Sequence, residues 1–223
     1  MKKLLFTAFA AIVISGCSND LDDLPCISCG TTSGTPVSYG GETYQTVVIG
    51  VQTWMARNLN YDASGSVCYD NSTANCAKYG RLYDWATAMA LPEECNREGC
   101  SDLIETPHQG ICPSGWHIPS NADWDALIAA AGGGDMAGLF LKATSGWSEG
   151  GNGLGIYGFS ALPGGDGGSG GYFGNVGNYG YWWSSSEYYS IYACYRSMSY
   201  GSESVYYDFT GKYFLYSVRC LQD

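Results

Sequence analysis

Charged residues are scarce in this chain, at 14% of 223, and positive ones are scarcest, with ten Lys and Arg against 21 Asp and Glu. No basic stripe exists to displace counterions from a phosphate backbone, so nucleic acid is excluded as a partner. The net charge of −11 would become about −13 if Lys2 and Lys3 left with a leader, which favours solubility more than any particular partner. Histidine is limited to His108 and His117, and nothing in the sequence brings them together as metal ligands. The oxygen-rich loop of an EF-hand is absent as well, so neither a metal nor a cofactor is expected. The apolar run Leu4 to Ile14 is too short to span a membrane as a helix. Cys26-Ile27-Ser28-Cys29 has no second CxxC or nearby histidine, and reads as a local disulfide or an oligomer contact rather than as zinc or redox chemistry.

What the chain does contain is 32 Gly, 19 Tyr, 7 Trp and 10 Cys, the composition of an aromatic, loop-rich extracellular protein. The abundant aromatics serve packing first and ligand contact second. Met1-Lys2-Lys3 and the apolar run behind it read as a secretory signal, and Ile14-Ser15-Gly16-Cys17 resembles the bacterial lipobox. Residues 1–16 are therefore expected to be a lipoprotein signal peptide, with acylation at Cys17 and membrane contact through that lipid anchor alone. Asp20, Asp22 and Asp23 look like a surface-export signal, which points to an outer-membrane lipoprotein of a Gram-negative bacterium facing the exterior. Residues 17–41, rich in Ser, Thr, Gly and Asp, read as a tether, and residues 42–223 as one domain.

Nine cysteines besides Cys17 cannot all pair within one molecule. Spacing suggests Cys68 with Cys76, Cys95 with Cys100, and a long-range staple from Cys112 to Cys220, with Cys26–Cys29 in the tether and Cys194 free and buried. The domain is organised around Cys112-Pro113-Ser114-Gly115-Trp116-His117-Ile118-Pro119 and the helix that follows. Ser120 and Asp123 make a capping-box pattern, and Trp124, Leu127, Ile128 and Ala131 fall on one apolar stripe. A second helix is expected from Asp135 to about Lys142, after Gly132-Gly133-Gly134 ends the first. Tyr44–Ile49 and Gln52–Met55 read as a hairpin, Lys78–Tyr83 as a short strand leading into a helix at Asp84–Met89, and Tyr181–Glu187, Ile191–Met198 and Phe214–Leu221 as a closing antiparallel set. Between them, residues 146–180 are saturated with glycine. Gly164–Gly171 lacks the Lys-Ser/Thr of a phosphate loop, which argues against nucleotide binding.

Trp54-Met55-Ala56-Arg57-Asn58-Leu59, Tyr79-Gly80-Arg81-Leu82-Tyr83-Asp84-Trp85, the Cys112–Pro119 stretch, Gly158–Gly165, Tyr181–Ser185 and Ser217-Val218-Arg219-Cys220 together resemble the Fibrobacter succinogenes major paralogous domain. The resemblance runs over about residues 42 to 222. It implies an α+β, C-type lectin-like fold, also similar to formylglycine-generating enzymes: two main helices, short twisted antiparallel strands, long Gly-rich loops and disulfide staples. The Glu-Pro-Asn, Gln-Pro-Asp and Trp-Asn-Asp tripeptides of calcium-dependent lectins do not occur here. Cys194 has no partner cysteine of the kind formylglycine-generating enzymes use, so copper-dependent thiol oxidation is not implied.

No catalytic set emerges. A thiol needs a neighbouring base, and His117, held between Trp116 and Ile118-Pro119, reads as a structural ring bonded to backbone. Tyr179, Tyr181, Trp182 and Trp183 could form a sugar-stacking platform beside the glycine loop, with Glu187 and Arg196 as polar partners, although strand alternation should send one of the two tryptophans into the core. Arg196 and Arg219 should pair with buried carboxylates or cap carbonyls. The expected function is non-catalytic binding of an extracellular glycan or surface protein. A structural or adhesin component of a surface assembly, such as a fimbrial accessory subunit, is the alternative, and a thiol-dependent enzyme the third.

Overall fold

A computed structural model describes residues 32–168 and 170–223. The expectations at Cys17, Cys26 and Cys29, and all of the signal segment, lie outside those residues. Short strands open the described chain: β1 (Thr32–Ser33), β2 (Val37–Tyr39), β3 (Glu42–Tyr44), β4 (Thr46–Ile49) and β5 (Gln52–Met55). β4 and β5 form the expected hairpin, and Gly50 supplies the positive φ at its turn. β1 pairs with β4 and β2 with β3, so pairing begins inside the segment whose composition reads as tether.

Helices α1 (Thr73–Tyr79) and α2 (Trp85–Ala88) follow, then β6 (Trp116–His117), α3 (Asn121–Ala130) and α4 (Ala137–Leu141). The capping box on α3 forms as its sequence requires: Ser120 Oγ accepts from Asp123 N at 3.3 Å, and Asp123 Oδ2 accepts from Ser120 N at 2.8 Å. Trp124, Leu127 and Ala131 are buried on one side of this helix, with Ile128 packed beside them. α4 begins after Met136 instead of Asp135 and lasts only five residues. Gly138 inside it lies so close to the Glu203 and Ser204 carbonyls that a Cβ would meet them at 2.6 Å. Lys78–Tyr83 is not a strand either; α1 covers its start, and Leu82 and Tyr83 make single bridges to Val67 and Tyr216.

The remaining strands are β7 (Asp166–Gly168), β8 (Tyr172–Gly174), β9 (Tyr179–Tyr189), β10 (Tyr192–Ser199), β11 (Tyr206–Gly211) and β12 (Leu221–Gln222). They form a five-stranded sheet in the order β1-β4-β5-β12-β6, a three-stranded sheet β11-β10-β9, and the pairs β2-β3 and β7-β8. The expected α+β, lectin-like fold with two main helices is therefore not what forms. Several small antiparallel sheets carry the architecture among the described residues, and the four helices, of four to ten residues, are short. The cause is local: glycines interrupt the helical stretch after Ala131, while the aromatic-rich C-terminal third favours strands. The third strand of the closing sheet is β11, not Phe214–Leu221, whose residues make single bridges and end in β12.

Leu221 of β12 pairs with Trp54 on one side and His117 on the other, so the last strand is enclosed in the five-stranded sheet between β5 and β6. Disulfides join Cys112 to Cys220, Cys68 to Cys76 and Cys95 to Cys100, the three pairs that the spacing suggested, and Cys194 is free and buried. The first bridge closes a separation of 108 residues and the last one of 5. In the loop-entropy account, these should stabilise by about 5 and about 2 kcal/mol respectively. Replacing Cys112 and Cys220 by Ala should therefore lower the urea midpoint clearly more than replacing Cys95 and Cys100. Equal losses would contradict that account.

Candidate functional site

The alternation of β9 separates its two tryptophans. Trp182 enters one apolar cluster with Trp54, Trp124 and Phe159, and Trp183 enters the other with Tyr83, Trp85 and Tyr216. Both are fully buried, and both indoles are satisfied: Trp182 Nε1 donates to Asn58 Oδ1 at 2.8 Å and Trp183 Nε1 to the Tyr83 carbonyl at 2.7 Å. Neither is available as a surface platform. Glu187 is also committed within the fold. It accepts from Cys100 N at 3.0 Å and pairs with Lys212, a fully buried cation that also donates to the Glu98 and Ser190 carbonyls and lies 4.3 Å from the Trp85 ring centre. Arg196 donates to Asp125 at 2.7 Å and to Asn121, tying β10 to α3, and stacks on Tyr207.

Tyr179 and Tyr181, two residues apart on β9, share the face that Trp183 occupies, and there the structure builds a surface. Tyr179 stacks on Tyr181 at 5.7 Å and 12°, and Tyr181 on Tyr216 at 4.8 Å and 11°. The stack continues through Phe214 to Tyr213, at 6.2 and 5.0 Å. Tyr195 closes edge-on against both Tyr181 and Tyr216. Tyr216 is the buried base, Tyr181, Tyr195 and Phe214 are half-buried around it, and the two ends, Tyr179 and Tyr213, are 37% and 52% exposed. The β7-β8 hairpin flanks this ladder, with Tyr172 exposed at its tip. Gly165, just before β7, must be glycine: its φ is 68° and a Cβ would meet the Gly174 carbonyl at 2.3 Å.

Burial raises Tyr181 well above its ordinary value, and the Asp166 carboxylate adds to the effect. Tyr195 is pushed up to about 12 by burial and by Asp208, and Tyr216 is raised by burial and its tyrosine neighbours. Asp166 is itself raised by burial, against a 2.7 Å hydrogen bond from Asn175. The result is a set of flat rings, most of them carrying hydroxyls, with the exposed Asp208 carboxylate beside Tyr195 and the Asp166 carboxylate buried.

The family described as Fibrobacter succinogenes major domain matches residues 47–222. The chain belongs to that family. No curated protein and no solved structure matches the chain. Of the segments that resemble the Fibrobacter succinogenes major domain, Trp54–Leu59, Tyr79–Trp85, Tyr181–Ser185 and Ser217–Cys220 meet around the side chain of Asn58. Its Oδ1 accepts from Trp182 Nε1 and from Arg219 at 2.7 and 3.1 Å, while its Nδ2 donates to the Tyr79 carbonyl at 2.8 Å and to Ser217 Oγ at 3.2 Å. Most of the side chains of those segments serve the interior, while Tyr181 belongs to the ladder on the surface.

The two histidines line one groove of about 840 Å³, together with Ser120, Asp123 and Asp223. His108 accepts from Glu105 N at 3.1 Å through Nδ1 and reaches the Met89 carbonyl at 2.8 Å through Nε2, so both its nitrogens are used. His117 is not backbone-bonded as expected. Its Nδ1 lies 2.7 Å from Asp223 Oδ1 and its Nε2 3.5 Å from Asp123 Oδ2, which clamps β6 between α3 and the strand that follows Cys220. Cys194 meets neither ring; its sulfur lies 3.4 Å from the Tyr207 hydroxyl. Among the described residues, no group of three or more His, Cys, Asp and Glu side chains could hold a metal ion.

Sequence reasoning missed Tyr195, Tyr213, Phe214 and Tyr216 as parts of the surface. The alternation that pairs Tyr195 with Trp183 was legible in principle, but the stacking of Phe214 and Tyr216 depends on a chain crossing that no local pattern records.

Burial lowers the pKa of His117, yet the hydrogen bonds and charges of Asp123 and Asp223 outweigh it and leave the value raised above 6.5. A raised histidine contributes its full stability below its unfolded pKa and loses it as pH rises through the folded one. The melting temperature should accordingly fall as pH rises from 6 towards 9, and His117→Gln should flatten that fall. An unchanged slope in the variant would contradict the clamp.

Proposed function

We propose that the protein is a lipoprotein of the outer membrane, displayed on the surface of a Gram-negative bacterium, whose domain binds an extracellular glycan without catalysis. The observation that carries this reading is the ladder running from Tyr179 to Tyr213 on the sheet face opposite Trp182. Sugar rings have apolar C–H faces that settle on aromatic rings, and hydroxyls that need donors and acceptors at the rim. The phenol hydroxyls of the ladder and the exposed Asp208 carboxylate supply these. An aromatic surface backed by packed neighbours also loses little side-chain entropy on binding. The lipobox-like segment ending at Cys17 and the acidic run after it supply the anchoring and display parts of the reading.

The test is binding of the purified chain to a panel of insoluble polysaccharides and to a glycan array, with wild type beside Tyr179→Ala and Trp182→Ala. Tyr179→Ala should weaken binding about tenfold, near 1.4 kcal/mol, with an unchanged melt. Trp182→Ala should instead cost about 3–5 kcal/mol of stability, because it empties a buried site. No glycan bound by wild type, or full binding by the Tyr179 variant, would contradict the proposal, and self-association would then favour the assembly role.

A further inference from the structure

The ladder does not end on open surface. Tyr213, its last ring, is also a wall of a cleft of about 900 Å³, within the range of small-ligand sites. Tyr61, stacked at 4.7 Å on Tyr39, lines the same cleft, and Tyr213 is stacked at 5.0 Å on Phe214. The charged side chains of the cleft lining are mainly acidic: Asp62, Asp84 and Glu93, against Arg97.

Two of those carboxylates already have cations. Asp62 pairs with Arg81 at 2.9 Å, and Glu93 with Arg97 at 3.1 Å. Asp84 is different. Its Oδ1 accepts from Thr87 N at 2.8 Å and from Asn96 Nδ2 at 2.9 Å, both neutral donors, and among the described residues it forms no salt bridge. Asn96 is in turn fixed by the Ala86 N–H, which donates to its Oδ1 at 3.0 Å. The cleft thus presents one carboxylate held by two hydrogen bonds, without a cation partner, and two aromatic rings in the same lining. A ligand complementary to it has a ring with an apolar face for the tyrosines and a positive charge for Asp84.

We propose that this cleft is a subsite for an amino sugar whose amine is free and protonated, continuous with the ladder through Tyr213. The proposal rests on the glycan reading above and specifies the chemistry of one residue of the bound glycan. Amine and carboxylate meet here where water is partly excluded, so their attraction is stronger than on open surface. N-acetylation removes the charge and enlarges the group, and should abolish the preference.

Calorimetric titration of the full chain with a glucosamine tetramer, its N-acetylated counterpart, a neutral β-glucan tetramer and tetralysine tests this. The glucosamine tetramer should bind at least tenfold more tightly than the other three. Asp84→Asn keeps an acceptor for Thr87 N and Asn96, so it should leave the melt within a few degrees of wild type while bringing the glucosamine tetramer down to the level of the acetylated one. Equal affinity for the two tetramers, or a preference that survives in Asp84→Asn, would overturn the subsite. Tetralysine binding as tightly as the glucosamine tetramer would overturn its saccharide character. If polysaccharide binding sensitive to Tyr179→Ala persists through any of these failures, only the subsite falls; if it is absent as well, the glycan reading falls with it.

Discussion

A single buried amide and a single buried guanidinium hold the parts of this domain together. Arg219 is almost wholly buried, with no carboxylate partner in its hydrogen-bond set, and burial pulls its pKa down to about 9. Its donors are taken up by Asn58 Oδ1 and the Phe159 carbonyl, and its guanidinium lies 4.1 Å from the Phe159 ring centre. Asn58 spends its remaining capacity on Trp182, Tyr79 and Ser217. Segments far apart in sequence meet there: the exit of the first hairpin, the end of α1, the glycine-rich stretch, β9 and the C-terminal run. Hydrogen bonds to a charged group stabilise more than neutral ones, and leaving a buried partner unmatched costs about 1–3 kcal/mol. Small sheets with few bonds between them depend on such a junction. Gly80 shows how tightly it is built: its φ is 80°, and a Cβ would meet the Leu59 carbonyl at 2.7 Å and Asn58 Cβ at 2.8 Å.

The junction also orients the surface. With its indole bonded to Asn58, Trp182 faces the interior cluster, and strand alternation then commits Tyr181 and Trp183 to the opposite face. Ser217, bonded to Asn58 through its hydroxyl, donates its N–H to the Tyr181 carbonyl and accepts from Trp183 N, both at 3.1 Å. That contact brings Tyr216 beneath Tyr181 and lets Phe214 and Tyr213 extend the stack. The aromatic ladder is therefore a consequence of core hydrogen bonding, and the Gly-rich stretch is no slack loop: Trp147, Phe159 and Ala161 from it are buried in the core.

Features set by neighbouring residues were legible in the sequence. The Ser120–Asp123 capping box, the Trp124–Leu127–Ala131 stripe and the Gly50 turn follow from local periodicity and backbone preference, and two local disulfides follow from spacing, while Cys112–Cys220 rests on the return of the last strand. The short second helix was not legible, because Gly138 responds to the close approach of residues 203–204, which a helical pattern does not announce. β11 escaped notice because four of its six residues are exposed and it lacks an alternating pattern. At the site, the platform expected of Tyr179, Tyr181, Trp182 and Trp183 keeps only the two tyrosines, since both tryptophans and Glu187 hold the fold, as does Arg196 in the structural role also expected of it. Composition could not separate stacking rings from packing rings, since the difference lies in which face of β9 meets which cluster.

The most direct test of the account is a two-dimensional NMR titration of the chain, with tyrosine and tryptophan side chains selectively labelled, against the polysaccharide fragment it binds best. The account predicts shifts in the ring signals of Tyr179, Tyr181 and Tyr213, with the indole signals of Trp182 and Trp183 unmoved. Perturbed indoles with silent ladder tyrosines would contradict it.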